Sequence, residues 1–250
     1  MTYKTAAALE MAVKAAAKSS PLDTGRAVSG FYFHRLLCRV FSRPKTPFML
    51  KGGQSMLART VDARATRDID LLSQQSDLGS ALEEIKALAA INLEDFITFE
   101  FLSAEPIKAE DEYRSGLNVT FASYLGNKRM QDVSIDLVVD QIPCSEPEIM
   151  QPADRINIEG IPACDYRVYP LVNSLADKLC AMLEMHDGRP SSRVKDLVDV
   201  VIYATSMDID GEELTKWVHT EASIREIELP ALFSAPAEWK SLFQTTFRKL

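Results

Sequence analysis

No two cysteines of the chain stand as a CxxC pair, and the four present (Cys38, Cys144, Cys164 and Cys180) show no disulfide-framework spacing. That usage predicts reduced thiols and a cytoplasmic protein rather than a secreted scaffold. Histidine is scarce. His34, His186 and His219 are far apart, and none sits beside a cysteine or a second histidine, which argues against a zinc site. No apolar run approaches the length needed to cross a bilayer, so no membrane partner is expected. The alanine-rich N-terminus is interrupted by Glu10 and Lys14 with no cleavage site after it, so it reads as a helix and not a signal peptide. Internal repeats and low-complexity linkers are also missing.

What is present is an ordinary globular composition, 46% hydrophobic and 26% charged over 250 residues, enough to bury a sizeable core. The formal charge of −8 excludes a chain coated for nonspecific nucleic-acid binding, but the average hides an asymmetry. Between Thr24 and Arg67 stand nine bases and one acid, a net +8, leaving −16 for the remainder of a chain whose total is −8. Within that block "DTGRAVSGFYFHRLLCRVFSRP" predicts a helix ended by Pro44. Its Arg35, Arg39 and Arg43 recur at i, i+4 and i+8 as one basic stripe.

"PFMLKGG" predicts a strand running into a turn, "QSMLART" a short helix and "RDIDLL" a second strand. "DLGSALEEIKALAA" is helical, and "FITFEFLSA", "GLNVTFASYL" and "QDVSIDLVVD" carry the β-branched and aromatic residues of strands. After Val168 the pattern turns helical, in "YPLVNSLADKLCAMLEMHDG", "SSRVKDLVDVVIYATS" and "DGEELTKWVHTEA".

Two acids interrupt an apolar strand at Asp68 and Asp70. Alternation puts them on one face, roughly 7 Å apart at about 3.3 Å of rise per residue. Carboxylates beside a core are costly unless paired, hydrogen-bonded or metal-bound, and oxygen donors of this kind suit Mg²⁺ or Mn²⁺. Asp136, between Ile135 and Leu137, is the candidate third carboxylate, with Asp132 and Asp140 sharing its parity. Such a cluster can hold divalent ions that activate an attacking oxygen and stabilise a leaving pyrophosphate. The competing reading is a solvated strand face. Gly52 and Gly53 permit close backbone approach, and the helix after them offers unpaired N–H groups to a phosphate.

The ordered blocks "LKGG", "RATRDIDL", "IDLVV", "LADKL" and "RVKDLVDV" resemble the AbiEii/AbiGii nucleotidyltransferase toxins, a MenT-like group in the DNA polymerase β-like superfamily. The resemblance covers roughly Phe31 to Tyr203. It implies an α+β fold: a polymerase β-like core over residues 1–168, a mixed sheet with flanking helices, followed by a helical C-terminal domain over 169–250. It also implies a toxin that transfers a nucleotide from an NTP to RNA, most plausibly the tRNA 3′ end, and a cognate antitoxin acting directly or otherwise. Carried over residue by residue, Gly52 and Gly53 meet the triphosphate with Lys51 and Ser55 beside them, and Asp68, Asp70 and Asp136 bind metal. Gln54 departs from relatives, which often carry a small hydroxyl residue there. Thr66 shares parity with the aspartates, and Arg64 or Arg67 is placed to touch phosphate. The stripe Arg35, Arg39 and Arg43 is the expected RNA contact.

In the helical part, Leu171, Leu175, Lys178 and Met182 share one stripe, so Lys178 emerges from an apolar face. It either snorkels to water or aims its ammonium at NTP phosphates, and the resemblance implies the second. Val194, Val198 and Val201 mark the expected buried side of the next helix. Asp196 lies on its flank as the functional acid implied by the resemblance, with Asp199 as runner-up. Other readings keep the fold with a small-molecule or protein acceptor, use DxD for a sugar nucleotide, or make the chain an inactive binding relative.

Overall fold

A computed structural model describes residues 2–60, 68–75, 77–107, 114–140, 142–186 and 188–247. The chain opens with α1 (Ala6–Ser19) and α2 (Thr24–Val40), then β1 (Phe48–Lys51), α3 (Gly52–Arg59) and β2 (Ile69–Ser73). α4 (Leu78–Ala89) leads to the long strands β3 (Ile97–Pro106), β4 (Arg114–Leu125) and β5 (Lys128–Asp140). Short strands β6 (Glu148–Met150) and β7 (Tyr166–Val168) complete the sheet. Then come α5 (Leu171–Leu183), the two-residue strands β8 (Met185–His186) and β9 (Arg189–Pro190), α6 (Val194–Ser206), α7 (Gly211–Ile224) and α8 (Trp239–Phe247). Two compact units result: Met1–Gln141 with Pro147–Tyr169, and Ile142–Glu146 with Pro170–Leu250. Among the described residues no helix is long and apolar enough to cross a membrane.

Helix starts follow side-chain chemistry. Asp23 and Asp77 accept from the backbone N–H groups of Arg26 and Ser80 at 3.0 and 2.8 Å, satisfying donors that a helix N-terminus leaves open. The sheet order is β3-β4-β5-β2-β1-β7-β6, parallel at β2/β5 and β1/β7 and antiparallel elsewhere. This is the mixed sheet with flanking helices that the sequence predicts.

Alternation along the central strands sorts the two faces. Leu50, Ile69, Leu71, Ile135, Leu137 and Val168 are fully buried and join one core with Leu9 and Val13 of α1, Phe31, Leu36 and Leu37 of α2, and Ile85 and Leu88 of α4. Each such side chain stabilises the fold by about 1.5–3 kcal/mol on burial. The residues between them, Lys51, Asp70 and Asp136, are thereby turned to the other face.

The basic stripe runs through the core. Arg35 and Arg39 are 1% and 0% exposed, so the expectation that they contact RNA fails for both. Arg35 Nε donates to Asp95 Oδ2 at 2.7 Å and Arg39 Nη2 to Asp95 Oδ1 at 2.8 Å. Carbonyls of Pro162, Arg35 and Ile97 accept further N–H groups of the two guanidinium forks. Burial alone would raise the Asp95 carboxyl, but Arg39 and then Arg35 outweigh it and hold it below the usual carboxylate range. Glu94 and Phe96, on either side, sit in the left-handed region at φ 55° and 60°. That conformation costs about 1–2 kcal/mol per residue. The ion pairs of Asp95 therefore hold a bend that its neighbours disfavour. Arg43 alone of the stripe is exposed, and it pairs with Glu84 at 2.9 Å.

Candidate active site

The register of the sheet brings together residues that are distant in sequence. Lys51 on β1 lies opposite Asp70 on β2, Asp70 beside Asp136 on β5, and Asp136 opposite Asn118 on β4. Directly paired residues share a face, and adjacent strands are about 4.8 Å apart, so the four side chains form one row across four strands. Asn118 Nδ2 donates to Asp136 Oδ1 at 2.7 Å, which orients one carboxylate oxygen and leaves acceptor capacity on the other. The pairing of Asp70 with Asp136 puts the two carboxylates side by side. Asp68 stands at a bend just before β2 and is exposed, so it lies outside the strand that the sequence assigns to it.

The paired glycines belong to the same construction. Gly52 opens α3 at φ +60°, and a Cβ built on it would lie 1.9 Å from Asp70 Oδ2 and 2.5 Å from Asp70 Cγ. The Asp70 carboxylate thus occupies the space where any other residue at position 52 would carry its side chain. The sequence suggests glycine for a phosphate; the structure adds that glycine makes room for the acid. Ser55, expected beside the triphosphate, is buried, and its hydroxyl donates to the Gly52 carbonyl at 2.8 Å. It braces the turn instead of presenting itself to a ligand. Gln54 and Gly53 are buried with it.

Lys51 is tucked onto the sheet, with its Nζ 4.3 Å from the Tyr169 ring centroid and 3.8 Å from Asp140 Oδ2. Tyr169 follows β7, and its N–H donates to the Leu50 carbonyl. Elsewhere in the basic block, Arg59 pairs with Glu148 at 2.9 Å and donates to the Tyr169 carbonyl. Much of the +8 segment is therefore answered by acids of other segments. Arg64, Thr66 and Arg67 lie outside the described residues.

The second unit holds its own charged cluster. Lys178 Nζ on α5 donates to Asp196 Oδ1 at 2.7 Å and Asp199 Oδ2 at 2.8 Å on α6, the three side chains being 12%, 11% and 0% exposed. Burial by itself would lower the Lys178 ammonium, but Asp196 and then Asp199 outweigh it and hold the group above its ordinary value. Lys178 is neither snorkelling to water nor displayed alone; two aspartates bind it. The buried side of α6 also differs from expectation. It carries Val194, Asp196, Asp199 and Tyr203, while Val201 is 52% exposed. The acids face inward because a cation from α5 is there to meet them. Asp199, the runner-up in the sequence, is the more deeply buried of the two.

An oxygen-donor set at the row suits a hard divalent cation, and Gly52 leaves the Asp70 carboxylate the space it occupies there. Comparisons with known proteins place the chain in a family. A family model described as "Nucleotidyl transferase AbiEii toxin, Type IV TA system" matches residues 35–249. No curated protein matches the chain. Among solved structures, MenT4, a nucleotidyltransferase toxin from Mycobacterium tuberculosis H37Rv, superposes with a TM-score of 0.54 at 15% identity, covering 94% of this chain and 76% of its own. JHP933 from Helicobacter pylori gives a TM-score of 0.44 at 18% identity, covering 88% and 93%. A family match of that extent, on a chain that shares its fold with MenT4, makes this protein a member of the AbiEii nucleotidyl transferase toxin family of type IV toxin–antitoxin systems.

Proposed function

We propose that the chain transfers a nucleoside monophosphate from an NTP to an RNA acceptor, with the tRNA 3′ end as the acceptor, and so blocks translation. The observation that carries the reading is the row Lys51–Asp70–Asp136–Asn118, with Asp70 seated on Gly52. Asp68, Asp70 and Asp136 would hold Mg²⁺ or Mn²⁺, which when bound supplies positive charge to the attacking oxygen and the leaving pyrophosphate. The acceptor hydroxyl oxygen forms a bond to the α-phosphorus, the bond from that phosphorus to the bridging β-oxygen breaks, and pyrophosphate leaves. Asp136 takes the hydroxyl proton, its carboxylate held in orientation by Asn118. Gly52 and Gly53 give the triphosphate access to backbone N–H groups at the start of α3, where the helix dipole favours an anion. Within the second unit Asp196 and Asp199 hold Lys178 as a charged ammonium.

One observation favours a second acceptor class. The stripe that argued for RNA in the sequence lies inside the core at Arg35 and Arg39, so a small molecule or protein side chain is the alternative acceptor. The test incubates the protein with Mg²⁺, total bacterial tRNA and each α-labelled NTP in turn, beside Asp70→Asn. Label on tRNA that vanishes in the variant is the expected result. Label that stays off RNA but reaches protein or a small molecule supports the second class. No transfer to any acceptor, with NTP binding intact, overturns both.

A further inference from the structure

On α2, one helical turn separates His34 from Cys38, and the chain entering β7 brings Cys164 against them. One ligand atom from each, the imidazole nitrogen and the two sulfurs, lies within 4.8 Å of the other two. Among the described residues this is the one cluster of three such donors whose ligand atoms meet so closely. The sequence argues against a zinc site because no histidine is adjacent to a cysteine. The relevant spacing is i, i+4 on a helix, which places both donors on one face.

The surroundings match what a ligand set needs. Cys38 Sγ is 3.5 Å from His34 Nε2. Tetrahedral zinc, with bonds of about 2.3 Å to sulfur and 2.0–2.1 Å to nitrogen, puts such donors roughly 3.5–3.8 Å apart. The other imidazole nitrogen, Nδ1, is 2.7 Å from the Tyr166 hydroxyl, which fixes the ring with Nε2 turned to the sulfurs. Metal-bound histidines are commonly held this way, by a hydrogen bond at the nitrogen that does not bind the metal. Arg35 Nη1 donates to Cys38 Sγ at 3.6 Å, and a sulfur that accepts from a guanidinium is favoured as thiolate, the form that binds metal. His34 and Cys38 are buried while Cys164 is half-buried, so a cation and a fourth ligand such as water have an approach from the Cys164 side.

We propose that His34, Cys38 and Cys164 form a binding site for zinc that pins α2 to the chain entering β7. It is a separate site from the acidic row: the donors are sulfur and nitrogen, on residues the transfer chemistry does not use. β7 pairs with β1 at Val168 and Leu50, and β1 runs directly into the Gly52 turn. Zinc here steadies the scaffold under that turn without touching substrate.

The test needs neither NTP nor acceptor. Reduced, metal-stripped full-length protein is titrated with Co²⁺ as a spectroscopic probe and with Zn²⁺ as competitor. One equivalent of Co²⁺ is expected to give thiolate charge-transfer and tetrahedral d–d bands that Zn²⁺ abolishes and excess Mg²⁺ does not. The bands should persist in Cys144→Ser and disappear in Cys38→Ser/Cys164→Ser. Because Cys38 is buried and its variants could fold poorly, alkylation of the wild-type thiols gives a second readout. Zinc should slow modification of Cys38 and Cys164 at least tenfold and leave Cys144 unchanged. Failure of the reduced wild type to give the bands overturns the proposal, as does their survival in the double variant. Unchanged alkylation with zinc present does the same, and so does uptake of no metal by a chain that forms a Cys38–Cys164 disulfide in air.

Discussion

Replacing Gly52 with alanine tests the core of the site geometry. The backbone at position 52 is left-handed at φ +60°, which costs a residue with a Cβ about 1–2 kcal/mol. The new Cβ also meets Asp70 Oδ2 at 1.9 Å, Cγ at 2.5 Å and Cβ at 3.0 Å, so the carboxylate must leave its place. Overpacking of this kind costs a further 1–3 kcal/mol or so, for a total of roughly 2–5 kcal/mol. Asp70→Ala removes the two nearest atoms and leaves only the Cβ contact. In that background Gly52→Ala should cost little more than its backbone share, a coupling of about 1–3 kcal/mol between the two positions. Urea unfolding of the four proteins, followed by circular dichroism, measures it. Nucleotidyl transfer by Gly52→Ala should also fall on the order of a hundredfold, because a displacement near 1 Å at a reacting group has that effect. Equal cost of Gly52→Ala in the two backgrounds would falsify the claim that the glycine exists to seat the aspartate.

Asp95→Ala leaves Arg35 and Arg39 buried without their carboxylate and should destabilise the fold by about 3–5 kcal/mol in the same unfolding assay. Because the folded Asp95 value is lowered, its stabilisation is complete above the unfolded value near 3.9 and is lost as pH falls through the folded one. Stability curves of wild type and Asp95→Asn should therefore converge only in strong acid; convergence already at pH 5 would contradict the ion pairing. Arg43→Glu, on the exposed end of the stripe, should change stability by no more than about 1 kcal/mol, and a larger loss would show that Arg43 does more than pair with Glu84. Lys178→Met strands Asp199 and should cost about 3–5 kcal/mol, whereas Lys178→Met with Asp199→Leu recovers most of it. With the Lys178 value raised, its contribution is full below about 10 and is lost only as pH climbs through the folded value, so a loss between pH 7 and 9 would count against the pairing.

The fold was legible where local pattern and burial agree. The alternation in "KRMQDVSIDLVVD" and "IDLLS" forms β5 and β2: Ile69, Leu71, Val133, Ile135 and Leu137 lie on the helix-covered face, while Leu72 and Val138 share the face of Asp70 and Asp136. Pairing was not legible, since register is set by cross-strand contacts that no single strand records. The sequence says that Asp70 and Asp136 each interrupt an apolar strand. Only the parallel pairing of β2 with β5 makes them neighbours, and only that row brings in Asn118, which carries no motif of its own. A polar residue at an inner position of "GLNVTFASYL" was the one available signal for Asn118.

Periodicity reveals which residues share a face of a helix, but not whether that face meets water or protein. Arg35, Arg39 and Arg43 do share a stripe, yet two of them are interior because Asp95, more than fifty residues later, supplies a buried counter-charge. Asp196 and Asp199 illustrate the converse. The valine spacing predicts Val194, Val198 and Val201 as the buried side of α6 with Asp196 on its flank. Val194 is buried but Val201 is exposed, and the acids turn inward because Lys178 emerges from an apolar face of α5. In each case a charge that reads as surface when taken alone is interior when its partner is known. The three soft donors at His34, Cys38 and Cys164 were missed for the same reason: the third member comes from the chain entering β7, far along the sequence. A charged or metal-binding side chain is therefore best judged by asking first what could neutralise it. A lysine in an apolar stripe followed by two acids three residues apart, as in Lys178, Asp196 and Asp199, is the form that question takes in a sequence.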